Sequence, residues 1–244
     1  MKKELLRLLA ALILLGWLPP GQLAAGDGLG IKGSIHDFSG RTWNNEFSQD
    51  NPGEICRVCH APHDRGLELW KGAADSGLLW NRDLSSAQYI MYSSDSLAGT
   101  IADQPVGRSK LCLGCHDDTV ALNAFDGSRG NEDGEGLLGR RYIIGYLKDG
   151  GNLDLRGHHP ISVQYVENSK IGTPGGLHQP EDKTWYDHSP VSQYLEFGRV
   201  ECHSCHDVHN RVSVPATPLL RAGMRNGQGG AEHASLLCLT CHNK

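Results

Sequence analysis

The stretch Cys202 to Asn210, CHSCHDVHN, puts two cysteines and three histidines in nine residues. Thiols and imidazoles at that density call for a metal or a metal-bearing group. A zinc site, a redox dithiol and a covalently held haem are the three candidates. The rest of the chain decides between them. Its eight cysteines fall as CRVCH (Cys56, Cys59, His60), CLGCH (Cys112, Cys115, His116), CHSCH (Cys202, Cys205, His206) and CLTCH (Cys238, Cys241, His242). Every cysteine sits in C-x-x-C, and a histidine follows every pair. Two such pairs can close a four-cysteine zinc site, but zinc does not need the histidines. A dithiol does not need them either. C-x-x-C-H is the attachment signal for c-type haem: two thiols form thioethers to the vinyl groups, and the next residue binds the iron. Four motifs that consume every cysteine select haem c, four copies of it, over four disulfides.

The N-terminus reads MKKELLRLLAALILLGWLPPGQLAAG. Lys2, Lys3 and Arg7 precede an apolar run from Leu8 to Leu18, then Pro19-Pro20 and the small residues Ala24, Ala25 and Gly26. This is the layout of a secretory signal peptide, expected over 1–25. The run is short of the roughly 20 apolar residues of a membrane span. The expectation is an exported chain with no transmembrane segment in its mature form, in the periplasm or at the cell surface. Haem attachment outside the cytoplasm agrees with it. Losing Lys2, Lys3, Arg7 and Glu4 moves the net charge from −5 to about −7, which excludes nucleic acid as a partner. Gly is abundant, at 31 residues. A protein-only core would be thin, so the haems are expected to occupy the centre. Their propionates, about eight negative charges, call for Arg and Lys partners.

Four haems offer eight axial positions, and the motifs fill four. Of thirteen histidines, nine remain. His63 follows the first motif as CHAPH and His209 the third as CHDVH, both C-x-x-C-H-x-x-H. His36 in GSIHDFSG and His159 in GHHPIS lie upstream of those doubled motifs. Motifs two and four match as KLCLGCHDD and LLCLTCHNK. The chain therefore reads as two copies of one unit, about 36–125 and 158–244, joined by the Gly-rich insert DGSRGNEDGEG. Each copy supplies two proximal and two extra histidines, enough for bis-histidine ligation throughout. His63 and His209 follow too closely on their own proximal histidines to bind the same iron and should reach neighbouring haems. The count does not say which. His158 competes with His159; the following Pro160 restricts His159 to extended backbone and favours it. His203 lies inside a motif and is expected to face solvent. His178, His188 and His233 read as loop histidines, and Met91 and Met224 as unneeded alternatives to histidine.

The segments GSIHDFSG, CRVCHAPH, LLWNRDLSS, SKLCLGCHDDTVAL, HHPIS, VECHSCHDVHN and LLCLTCHNK run through most of the chain. In them the chain resembles the doubled C-x-x-C-H family of multihaem cytochromes c, and looks most like the tetrahaem outer-surface members of metal-reducing bacteria. The resemblance implies that His36, His63, His159 and His209 are distal ligands. It also implies a capacity to form homopolymers, extracellular filaments in which one distal histidine comes from the adjacent subunit. By its N-terminal place His36 is the candidate for that role.

The expected fold is that of a multihaem cytochrome c: mostly irregular coil with short helices and few short strands packed around four haems, one tetrahaem domain over 26–244. SLLCLTCHNK reads as a motif-bearing helix and GRRYIIGYL as a short strand. Leu79, Trp80, Tyr89 and Tyr92 are expected to pack on haem. The expected function is electron transport through low-spin haems, without catalysis, between redox partner proteins or to extracellular acceptors. Three other readings compete. A soluble periplasmic shuttle has the same chemistry, whereas a multihaem reductase needs one open iron. A membrane quinol dehydrogenase would keep an N-terminal anchor.

Overall fold

The computed structural model describes residues 30–44, 54–61, 79–127, 130, 142–145, 151–165, 176–185, 187–214, 217–222 and 236–243. The expected signal segment, His63, His233, Met224 and most of the insert lie outside them. Regular elements are short. The helices are Gly107–His116, Cys202–Cys205 and Leu236–Cys241, with 3-10 turns at Thr42–Asn44 and Val191–Tyr194. Strands β1 (Tyr89–Ile90), β2 (Leu153–Asp154), β3 (Val163–Gln164), β4 (Gly176–Leu177), β5 (Arg199–Val200) and β6 (His242–Asn243) hold two residues each. β1 and β2 pair in parallel; β3 with β5 and β4 with β6 pair antiparallel. Among the described residues no helix is long and apolar enough to cross a membrane.

The buried apolar residues form three small clusters rather than one core. Phe38, Trp43, Val58, Leu122 and Phe125 make the first, and Cys59 and Cys115 pack against it. Tyr89, Leu113, Leu153 and Leu155 make the second, with Met91 and Ile144 beside them. Tyr165, Trp185, Val191 and Ala222 make the third, against which Cys205 and Cys241 pack. The first and third each gather the second cysteine of two successive motifs. The repeat read in the sequence thus recurs in the packing.

The two copies touch directly. β1 also pairs with β2, which lies in the segment between the copies. Ser109, fully buried in the Gly107–His116 helix, accepts from the Cys202 N–H at 2.9 Å. Gly99 lies on the β3 backbone: a Cβ there would come within 2.0 Å of the Gln164 carbonyl oxygen. Asn81, 1 % exposed, ties the start of the insert to the first motif by donating to the Arg57 carbonyl (2.6 Å) and to Asp126 Oδ1 (2.8 Å).

The strand expected in GRRYIIGYL does not form over its described part, 142–145. That backbone has another use. The Ile144 N–H donates to the His116 carbonyl at 2.6 Å, and the Tyr142 carbonyl meets His116 Nδ1 at 2.7 Å. Hydrogen-bonding groups spent on one histidine are not available for a ladder.

Candidate metal centre

The motif helices present their cysteines at one another. The Cys59 and Cys115 thiols, from motifs one and two, lie within electrostatic reach, as do Cys205 and Cys241 from motifs three and four. Between the copies, Cys112 and Cys202 are hydrogen-bonded thiol to thiol. All eight cysteines are free. The four cysteine pairs therefore run in chain order, one to four.

The imidazoles meet in pairs. His60 and His209 have ring centroids 6.2 Å apart, His36 and His116 6.1 Å, and His159 and His242 6.4 Å. Each pair joins a motif histidine to one of the extra histidines. Ordinary ring packing covers the same distances, so the selectivity lies in the partners. In each copy the lone upstream histidine, His36 or His159, meets the second motif of its own copy. His209 crosses from the second copy to the first motif. The fourth motif histidine, His206, lies near His36 and His116. By count its partner would be His63, outside the described residues. His36 sits against His116 of its own chain with its Nδ1 buried and unpartnered.

Hydrogen bonds orient several of these rings. His116 Nδ1 meets the Tyr142 carbonyl at 2.7 Å, His206 Nδ1 the Pro218 carbonyl at 2.9 Å and His159 Nδ1 the Pro160 carbonyl at 2.9 Å. A carbonyl can only accept, so Nδ1 carries the proton and Nε2 keeps its lone pair for a metal. Burial, with His116, His206 and His209 nearby, lowers the His36 pKa to about 4 and keeps that ring neutral. His158 is used differently: its Nε2 accepts from the Gly145 N–H at 3.2 Å.

A second repeat emerges that sequence reading missed. After each doubled motif the chain returns to its proximal histidine. Trp80 bridges His60, and Leu220 bridges His206. The Ala61 N–H donates to the Leu79 carbonyl and the Asp207 N–H to the Leu219 carbonyl, both at 2.7 Å. The Asn81 N–H meets the Cys59 carbonyl and the Arg221 N–H the Cys205 carbonyl, both at 2.9 Å. Leu79 and Leu219 both adopt positive φ, 48° and 57°. The signal was present as LLWNR against PLLRA, too short to weigh alone.

His203 is not the solvent-facing residue expected. Its side chain is largely buried, its Nδ1 has no hydrogen-bond partner, and its pKa falls to about 4, from burial first and then from Arg108 and Arg221. Arg221 holds it there, with Nε donating to the His203 carbonyl and the guanidinium 3.7 Å over the Tyr194 ring. Of the apolar set expected on haem, Trp80 lies edge-on to His60 at 6.0 Å. Tyr89 is buried among Leu113, Leu153 and Leu155, its hydroxyl bonded to Asp117.

Whether these residues suit a haem can be asked of the chain itself. Two iron–imidazole bonds of about 2 Å, with about 1.1 Å from each bonded nitrogen to its ring centre, put the centroids about 6 Å apart. The three pairs have that spacing. A cavity of about 320 Å³ opens at motif one, lined by Glu54, Ile55, Cys56, Arg57, His60 and Ala61. The exposed large apolar side chains, Leu79, Val106, Phe197, Val208, Leu236 and Leu239, lie in, or a few residues from, a motif or its return segment. They offer apolar surface where a macrocycle would rest. Arg108 leaves a buried Nε without a partner in the same region. The residues fit the group. In comparisons with known proteins, no family model and no curated protein matches the chain.

Proposed function

We propose that the chain is an exported tetrahaem cytochrome c that carries electrons through four bis-histidine haems. The observation that carries this reading is the set of imidazole pairs at 6.1–6.4 Å, each uniting a C-x-x-C-H histidine with a histidine outside the motifs. Haem supplies the one-electron couple. The cysteines fix each group at the vinyl edge. The Tyr142, Pro218 and Pro160 carbonyls hold three imidazoles in the tautomer that leaves Nε2 free. Paired imidazoles leave no vacant position, so nothing needs to bind or leave as an electron passes. The chain order of the cysteine contacts supports a path from motif one to motif four, with the Cys112–Cys202 contact joining the two copies.

The resemblance adds a polymer: a subunit of an extracellular filament delivering electrons to extracellular acceptors. Electron microscopy of the purified protein checks that part. The electron-carrier reading is tested by the absorption spectrum of the reduced protein with and without carbon monoxide. Four low-spin haems that ignore carbon monoxide support the carrier. A high-spin fraction that binds it in the monomer and the assembled protein alike means an open iron, and favours the reductase.

A further inference from the structure

Glu201 stands where the two copies meet and has no part in haem attachment or ligation. Its side chain is 1 % exposed. Oε2 accepts from Ser162 Oγ at 3.1 Å, whereas Oε1 is buried without a hydrogen-bond partner. Keeping such a carboxyl ionised is costly. The groups that face it are few. The Gly107–His116 helix contributes the Ser109 hydroxyl, and the segment before β3 contributes that of Ser162. The hairpin preceding it contributes Glu196 and Arg199, and the helix it opens contributes the Cys202 thiol. Burial, the largest influence, and Glu196 outweigh the two hydroxyls and Arg199, and the pKa rises to about 7.

Its place gives this chemistry a use. Glu201 immediately precedes Cys202, whose sulfur lies beside that of Cys112. The carboxyl therefore lies beside the attachment points of two haems, one from each copy. Helix capping alone does not explain it. Glu201 opens that helix with a capping box, its N–H donating to Ser204 Oγ at 3.0 Å and its side chain accepting from the Ser204 N–H, but short polar side chains cap at least as well. A capping role does not call for a buried acid with one bare oxygen.

We infer that Glu201 takes up one proton from solvent as one electron arrives at the haem attached through Cys202 and Cys205, and releases it as the electron leaves. The inference rests on the haem reading. The electron comes from a low-potential one-electron donor, an electrode in the test, and converts iron(III) to iron(II). The proton converts carboxylate to carboxylic acid, so the net charge of the buried junction stays constant. Coupling is reciprocal: the electron raises proton affinity, and the proton raises electron affinity.

The test is spectroelectrochemical titration of the full holoprotein from about pH 5 to about pH 9, wild type against Glu201→Gln. One haem of the four in wild type is expected to shift its redox equilibrium by up to about tenfold per pH unit near pH 7, about 59 mV for a one-electron couple. In Glu201→Gln that dependence disappears, and the haems of motifs one and four do not move. The reduced-minus-oxidised infrared spectrum of wild type gains a carboxylic acid carbonyl band that Glu201→Gln lacks. A pH dependence near 7 that survives Glu201→Gln overturns the proposal. So does a wild-type infrared difference without the band, which decides the matter even if the variant does not fold. A chain with no attached haem is a separate outcome, counted before the titration, and sinks the haem reading instead.

Discussion

His158 and His159 are adjacent, and the structure gives them different work. The His159 ring lies 6.4 Å from His242, with its Nδ1 on the Pro160 carbonyl. His158 Nε2 accepts from the Gly145 N–H at 3.2 Å. Both are exposed, so removing either leaves no large cavity. His158→Ala loses one exposed hydrogen bond and should cost under about 1 kcal/mol. On the proposed reading His159→Ala removes one axial ligand and leaves one iron of the four open. The assay is carbon monoxide binding to the reduced holoprotein, with the haem count as reference. His159→Ala is expected to bind one carbon monoxide per four haems, and its reduced spectrum to lose about a quarter of its low-spin intensity. His158→Ala should bind none. The opposite result, an open iron in His158→Ala and none in His159→Ala, would refute the assignment and the use of centroid spacing that produced it.

Other substitutions test the scaffold and its charge. Asn81→Ala removes the hydrogen bonds to the Arg57 carbonyl and to Asp126 Oδ1 and should cost about 2 kcal/mol by chemical denaturation; a midpoint within error of wild type would mean the insert is anchored elsewhere. Gly99→Ala drives a Cβ into the Gln164 carbonyl at 2.0 Å and should cost about 2 kcal/mol or more, so a wild-type melting temperature would contradict the packing of residue 99 on β3. Glu201 links stability to pH. Its folded pKa of about 7 lies above the ordinary 4.5, so the neutral acid is the favoured folded form. Relative stability from this group is complete below about pH 4.5 and is lost as pH rises through about 7, a swing of about 3 kcal/mol. Denaturation of Glu201→Gln should lack that swing, and a variant curve parallel to wild type would show that Glu201 titrates normally.

Much of the candidate site was legible because its signal is a spacing. C-x-x-C-H points to one chemistry within five residues, and the repeat of lone histidine, doubled motif and single motif needs no three-dimensional knowledge. The pairing of imidazoles was not legible, since it depends on how two copies fold over each other. His209 crossing to His60, and His36 staying within its own copy, are facts of packing. The carbonyls of Tyr142, Pro160 and Pro218 were invisible for another reason: backbone acceptors leave no side-chain signature. The same cause explains the strand misjudged around Ile143 and Ile144. β-branched residues announced a ladder, but the local backbone bonds went to His116. His203 was misjudged because its burial depends on Arg221, eighteen positions away. The scarcity of regular structure follows from composition, with glycine in many turns and with apolar surface gathered at the motifs rather than along amphipathic elements.

The most direct test of the central claim is the intact mass of the purified protein under denaturing conditions, read together with thiol titration. The account predicts four covalently attached haems and no thiol that reacts with an alkylating reagent, since all eight cysteines would be thioethers. A haem-free chain from a host that carries out c-type haem attachment, with its cysteines as thiols or disulfides, would contradict it.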